Sequence, residues 1–259
     1  MTQHVLHISD CHLVVEGADL IGVDTQASLE AVLTQALSER QPDAVIASGD
    51  LAHDPTRDVY SRFVETVRGY TAAPLLCLPG NHDVLAVMRA VDMPLDPLEV
   101  GSWSVVALDS HEDDAPRALI TARDRAQIKA QLSQAQGAHC LIATHHPLVA
   151  INCPWLDKDR IQNPEELLEW LSDCSAIEGV SRLRGVVFGH AHQIVDDTCN
   201  AVPVFGAPST CFQFAPGSEK FTIDTLAPGY RWLTLADDGQ ITSRECRVDA
   251  FSIQVRLNQ

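Results

Sequence analysis

Five apolar runs of this 259-residue chain each end in a residue able to ligate a metal ion. The run 4–9 leads into Asp10-Cys11-His12, and 44–48 leads into Gly49-Asp50. The run 75–78 leads into Pro79-Gly80-Asn81-His82-Asp83. Residues 140–144 lead into His145-His146-Pro147, and 185–188 into Gly189-His190-Ala191-His192. In layered α/β folds the carboxyl ends of the strands form the ligand crevice. Five such strand ends would bring two Asp, one Asn and several His to one place. Gly49, Gly80 and Gly189 each precede a candidate ligand, where a residue without a Cβ lets the backbone turn off the strand and pass close to an ion.

The rest of the first two-thirds supports that layering. Helical periodicity predicts a helix over 25–38, with Leu29, Val32, Leu33, Ala36 and Leu37 on one face, and another over 57–68, with Tyr60, Phe63, Val64 and Val67 inward. A third is expected over 121–135, where Thr121 and Asp124 read as a capping pair. A fourth, over 163–172, has Asn163 as its N-cap and Pro164 in its first turn. Residues 103–108 read as a further strand. After about residue 195 the texture changes to strands alone, at 202–205, 230–235 and 241–248, with turns such as Asp237-Asp238-Gly239 between them. The expectation is a single α/β domain over 1–259. Residues 195–259 should complete it as a second sheet on the substrate side. No internal repeat is visible.

The ligand set has a chemical preference. Imidazole and carboxylate oxygen without thiolate suit Fe, Mn or Zn. Seven donors exceed the needs of one tetrahedral ion. They suit two ions about 3.5–4 Å apart sharing a carboxylate, the arrangement used for phosphoryl hydrolysis. Asp-x-His or Gly-Asp alone says little; the order of all five motifs, each at a strand end, is decisive. The remaining histidines lack this support. His4, His7 and His139 lie in or beside strands and read as packing. His53 and His111 follow site strands and are candidates for a supporting role, and a helix cap or a loop hydrogen bond accounts for Asp109 as well as a ligand role does.

The charge and the cysteines narrow the partners. A net charge of -17 repels nucleic-acid backbones, and no basic patch offsets it. A small phosphate ester could still bind over a local cluster of cations. The eight cysteines form no Cys-x-x-Cys pair and several sit in apolar runs, which reads as reduced, buried thiols in a cytoplasmic protein. Cys11 must lie beside the site if Asp10 and His12 form it. No run reaches the apolar length of a membrane span, and the first residues lack a signal-peptide pattern. The sequence assigns no oligomeric state.

These five blocks resemble the calcineurin-like metallophosphoesterase superfamily, whose pattern is Asp-x-His, Gly-Asp, Gly-Asn-His-Asp/Glu, a His block and Gly-His-x-His. All five stand in order between Asp10 and His192. The resemblance extends to the bacterial class III 3′,5′-cyclic AMP phosphodiesterases through Gly22-Val23-Asp24-Thr25 and Cys153-Pro154-Trp155-Leu156-Asp157. The stretches 208–214 and 221–230 carry it into the C-terminal part. One departure is the acidic loop 110–120, which lacks the Gly-Glu turn of similar phosphodiesterases.

The resemblance implies a four-layer α/β/β/α sandwich with two mixed sheets. It implies that Asp10, His12 and His192 hold one ion, that Asn81, His145 and His190 hold the second, and that Asp50 bridges them. His82 would contact the phosphate and protonate or stabilise the leaving oxygen, with Asp83 orienting it; imidazole exchanges protons readily near neutral pH. Two divalent ions bring +4 and two aspartates −2, about +2 in all, which explains phosphate binding in an acidic chain. A water shared by the ions would supply hydroxide at neutral pH. His12, Asp50, Asn81, His82 and His192 would face the substrate phosphate. Trp155, Phe212 and Phe214 are candidates to flank a purine, with core packing the competing reading. Cyclic AMP is the implied substrate, while 2′,3′-cyclic nucleotides, glycerophosphodiesters and phosphomonoesters stay open. A non-catalytic scaffold is disfavoured because every ligand and His82 are intact.

Overall fold

The computed structural model describes residues 1–112, 118–176, 181–253 and 255–256. Residues 113–117, the middle of the divergent acidic loop, lie outside that range. The first sheet contains β1 (Gln3–Ile8), β2 (Ala44–Ala47), β3 (Leu75–Cys77), β12 (Gly229–Leu235) and β13 (Ile241–Arg247) in the order β13-β12-β1-β2-β3. The second contains β4 (Leu98–Val100), β5 (Trp103–Ala107), β6 (His139–Ala143), β7 (Arg182–Phe188), β8 (Val195–Cys199) and β9 (Val202–Gly206) in the order β4-β5-β6-β7-β9-β8. A two-stranded ribbon, β10 (Gln213–Phe214) and β11 (Ile223–Asp224), stands apart. Both large sheets are mixed. β1, β2 and β3 run parallel, as do β5, β6, β7 and β9, and antiparallel strands flank each group. The strands beyond residue 195 were expected to build a sheet of their own. Instead β8 and β9 join the second sheet and β12 and β13 join the first.

Alternation along the strands shows why the sheets stack. In β1, Val5 faces the other sheet while Leu6 and Ile8 face helices. In β6, Leu141 and Ala143 face the other sheet while Cys140 and Ile142 face helices. Strands apolar on both faces must be covered on both faces. The covering helices are α1 (Thr25–Glu39), α2 (Arg57–Tyr70) and the short α3 (Leu85–Ala90) on the first sheet, with α4 (Ala122–Gln134) and α5 (Pro164–Ser175) on the second. Asp24 caps α1, and Thr121 with Asp124 forms the expected capping box on α4. Asn163 precedes α5 as expected but makes no side-chain cap. Its amide instead exchanges two hydrogen bonds of 3.3 Å with the Ile120 backbone. No described helix is long and apolar enough to cross a membrane.

One buried cation bolts the sheets together. Arg231 on β12 is 1% exposed, and its guanidinium donates to the carbonyls of Gly206 and Val195, to Ser243 and to Asp196. Replacing it with methionine leaves these acceptors short of donors. An R231M protein is expected to lose about 2–4 kcal/mol in a urea titration. D196N should lose less than about 1 kcal/mol, since Asp196 is 55% exposed and solvent screens its share.

Candidate metal centre

The carboxyl ends of β1, β2 and β3 in one sheet meet those of β6 and β7 in the other. The loops are stitched together before any ligand is considered. Asp10 N–H donates to Gly49 O at 3.0 Å, His12 N–H to Asp50 O at 2.9 Å, and Gly189 N–H to His145 O at 3.1 Å. Asp10, His12, Asp50, His190 and His192 all have positive φ, between 45° and 60°, and make up five of the ten such non-glycine residues described. Strained backbone of this kind persists only where the surroundings impose it, and it clusters at functional sites. Glycines make the close approach possible. A Cβ on Gly80 would fall on the Asp50 carboxylate and lie 2.7 Å from the His145 ring, and one on Gly189 would fall on Ser9 Oγ.

The seven expected ligands converge on one cluster. His12 Nε2 and His192 Nε2 stand 3.1 Å apart, with Asp10 Oδ1 3.4 Å from His192 Nε2. Asn81 Oδ1 lies 3.1 Å from His145 Nε2 and 2.9 Å from His190 Nδ1. Asp50 stands between the two groups, Oδ2 3.7 Å from His12 Nε2 and Oδ1 3.5 Å from His145 Nε2. Donor atoms of Asp10, His12 and His192 lie within 4.8 Å of one another, as do those of Asp10, Asp50 and His145.

The chemistry of this donor set fits divalent ions. His145 Nδ1–H donates to Ser48 O at 2.8 Å and His192 Nδ1–H to Phe212 O at 2.7 Å. Each bond fixes the tautomer that turns the Nε2 lone pair inward, the outer support that metal-binding imidazoles require. Burial, then the His192 and His146 charges respectively, push His12 and His190 well below the usual imidazole range, so both are neutral donors. Burial works to raise the Asp10 carboxyl, but the histidines around it, His192 foremost, hold it below the usual carboxylate range. Two aspartates and four imidazoles gathered in a buried pocket are a site built for positive charge.

His82 lies exposed at the rim, its N–H donating to Asp50 Oδ1 at 2.8 Å. Asp83 makes no bond to the His82 ring among the described residues. Its carboxylate accepts from the N–H groups of Leu51, Ala52 and Gly80 and from Tyr60 Oη, so it ties the β2 loop to the β3 loop. Burial, reinforced by Asp50, pushes that carboxyl up to about 6. Trp155, Phe212 and Phe214 all line the same cleft, of about 460 Å³. Phe214 stacks on the His192 ring at 4.1 Å and Phe212 on His12 at 5.9 Å, so both also support ligands. Trp155 meets Phe214 edge-on at 5.0 Å.

Some residues in or beside the cleft were not singled out as site residues from the sequence. Phe221 joins the aromatic wall, 5.5 Å from both Trp155 and Phe214, and Leu20 and Ile21 line the cleft. His146 is fully buried, with its ring 4.9 Å from both His145 and His190. A doubled His in one motif was the available clue. His53, expected in support, lines the cleft and stacks on His82 at 5.3 Å. His111 is not among the lining residues; its backbone N–H donates to Asp109, a loop hydrogen bond, which was one of the alternatives for that residue. His7 is buried between the sheets against Ser48, and His139 packs on Trp103. Cys11 is buried beside the cluster, as its neighbours required.

Comparison with known proteins agrees with this geometry. Residues 3–194 match the family model described as calcineurin-like phosphoesterase. The chain is 37% identical to the 3′,5′-cyclic adenosine monophosphate phosphodiesterase CpdA of Pseudomonas aeruginosa, over 97% of this chain and 92% of that one. It is 31% identical to a 3′,5′-cyclic-nucleotide phosphodiesterase of a Nostoc species, over 94% of this chain and 92% of that one. Among solved structures, purple acid phosphatase PPD1 of yellow lupin superposes with a TM-score of 0.62 at 13% identity, over 98% of this chain and 53% of that one. That likeness is one of fold, and it matches the two stacked mixed sheets seen here. The chain belongs to the calcineurin-like phosphoesterase family.

Proposed function

We propose that the protein is a two-metal phosphodiesterase that opens 3′,5′-cyclic AMP to 5′-AMP in the cytoplasm. The observation that carries this reading is the cleft itself: His12, Asp50, Asn81, His190 and His192, five of the seven metal-type donors, on its floor and an aromatic wall of Trp155, Phe214 and Phe221 beside them. The floor suits a phosphate and the wall suits a flat base. The identity to cyclic AMP phosphodiesterases over nearly the whole chain supports the same substrate class. Unpaired thiols at all eight cysteines suit a reducing compartment.

Asp10, His12 and His192 would hold one ion, and Asn81, His145 and His190 the other, with Asp50 shared; iron, manganese and zinc all suit these donors. When bound, such ions supply Lewis acidity at the phosphate and acidify a water to hydroxide at neutral pH. Hydrolysis adds a water oxygen to phosphorus and breaks the bond from phosphorus to the 3′ oxygen. The departing oxygen must take up a proton, and His82 at the cleft rim would give it. Asp83 keeps the loop under His82 rigid through its four donors. Phe212 and Phe214 hold the His12 and His192 rings in place and exclude water from that side.

The test is a comparison of kcat/KM on 3′,5′-cyclic AMP, 2′,3′-cyclic AMP, a glycerophosphodiester and a phosphomonoester with metal-loaded protein. The 3′,5′-cyclic nucleotide is expected to lead by at least about tenfold. A lead by any of the others would replace the substrate assignment and leave the metal centre intact.

A further inference from the structure

The aromatic wall is assembled from two separate chain segments linked through Ser218. The first is a turn, residues 151–157, closed by Asp157, whose carboxylate accepts from Ile151 N–H at 2.7 Å and Cys153 N–H at 3.1 Å. It presents Trp155. The second is the β10–β11 ribbon, where Phe214 pairs with Ile223 and Ala215 N–H donates to Thr222 O at 2.8 Å. It presents Phe214 and Phe221.

Ser218 lies at the tip of the ribbon and does not line the cleft. Its hydroxyl accepts the Trp155 indole N–H at 3.1 Å and donates to Ala215 O at 2.8 Å. The Cys153 sulfur sits 3.3 Å from the same oxygen. A hydroxyl with one proton and two lone pairs can meet all three partners at once. Ring contacts keep the indole near Phe214 and Phe221, but edge-on packing is tolerant of rotation, whereas a hydrogen bond to the indole nitrogen is directional. Phe221 is 52% exposed, so burial does little to hold its end of the ribbon. The polar link between the two segments therefore fixes their spacing.

We propose that Ser218 is the positioning residue that sets this wall for a purine, and so strengthens nucleotide binding without touching the base. The proposal rests on the reading of the substrate as a cyclic nucleotide. Ser218 bonds to Trp155, Cys153 and Ala215 and to none of the candidate metal ligands, so losing the pin should weaken nucleotide binding and spare the chemical step.

The test uses the metal-loaded full chain as wild type, S218A and S218T, with cyclic AMP kinetics and fluorine NMR of protein carrying 5-fluorotryptophan. Four tryptophans give four resonances, and W155F identifies that of Trp155. In S218A, KM for cyclic AMP is expected to rise about fivefold, the worth of one hydrogen bond, with kcat within about twofold of wild type. The Trp155 resonance should shift or broaden in the free protein and respond weakly to added 5′-AMP. S218T, which keeps the hydroxyl, should restore both. An unchanged KM together with an unchanged Trp155 resonance in S218A would overturn the role of Ser218. If the wild type neither hydrolyses cyclic AMP nor moves its Trp155 resonance with 5′-AMP, the substrate reading has failed and the proposal falls with it.

Discussion

Asp50→Asn is expected to lower kcat/KM for cyclic AMP by about 10³-fold, or about 4 kcal/mol of transition-state stabilisation. The size follows from how many partners the carboxylate serves. Asp50 faces His12 at 3.7 Å on one side and His145 at 3.5 Å on the other, and also accepts from His82 N–H at 2.8 Å. The amide keeps the shape and removes one negative charge from between the two ligand groups. Metal content measured on the purified variant should fall with activity, because an amide presents one weak neutral oxygen where a carboxylate presents two charged ones. Turnover within tenfold of wild type would mean that Asp50 is not shared between ions.

Gly80→Ala should be nearly as damaging, although it removes no ligand. The added methyl meets the Asp50 carboxylate and backbone and the His145 ring, all parts of the packed floor. Overpacking of this kind costs about 1–3 kcal/mol of stability and moves the groups it touches. A displacement of the donors should cost about 10²-fold in kcat. Gly69→Ala is the control. Gly69 lies in α2, and a Cβ there meets nothing within 4 Å. It should stabilise the protein by about 0.5–1 kcal/mol in a urea titration, as a glycine removed from a helix does, and leave kcat unchanged. Equal effects of the two substitutions would show that the Gly80 turn is not under steric control.

The candidate ligands were legible in the sequence because each sits where an apolar run stops, and the fold makes strand ends converge. The parallel strands and long helices were legible for a related reason: burial on both strand faces and on one helix face leaves a strong periodic signal. What escaped has weak or non-local signals. β8 carries Asp196, Asp197 and Thr198 exposed on a sheet edge, so its pattern reads as a polar loop. α3 has six residues and one buried side chain, Met88, too few for a helical face to register. The division of the last strands between two sheets depends on pairings such as Leu6 with Trp232, which periodicity does not contain. Phe221 reaches the wall only because the ribbon folds back, and the link through Ser218 joins residues 63 positions apart.

The central claim is that this cleft works through a pair of divalent ions held by residues of both sheets. It is tested most directly by stripping the protein with a chelator, restoring Mn²⁺ in measured steps, and following cyclic AMP hydrolysis against metal bound per chain. Turnover is expected to be absent from the stripped protein and to reach its plateau at about two ions per chain. Full turnover in the stripped protein, or a plateau at one ion, would contradict it.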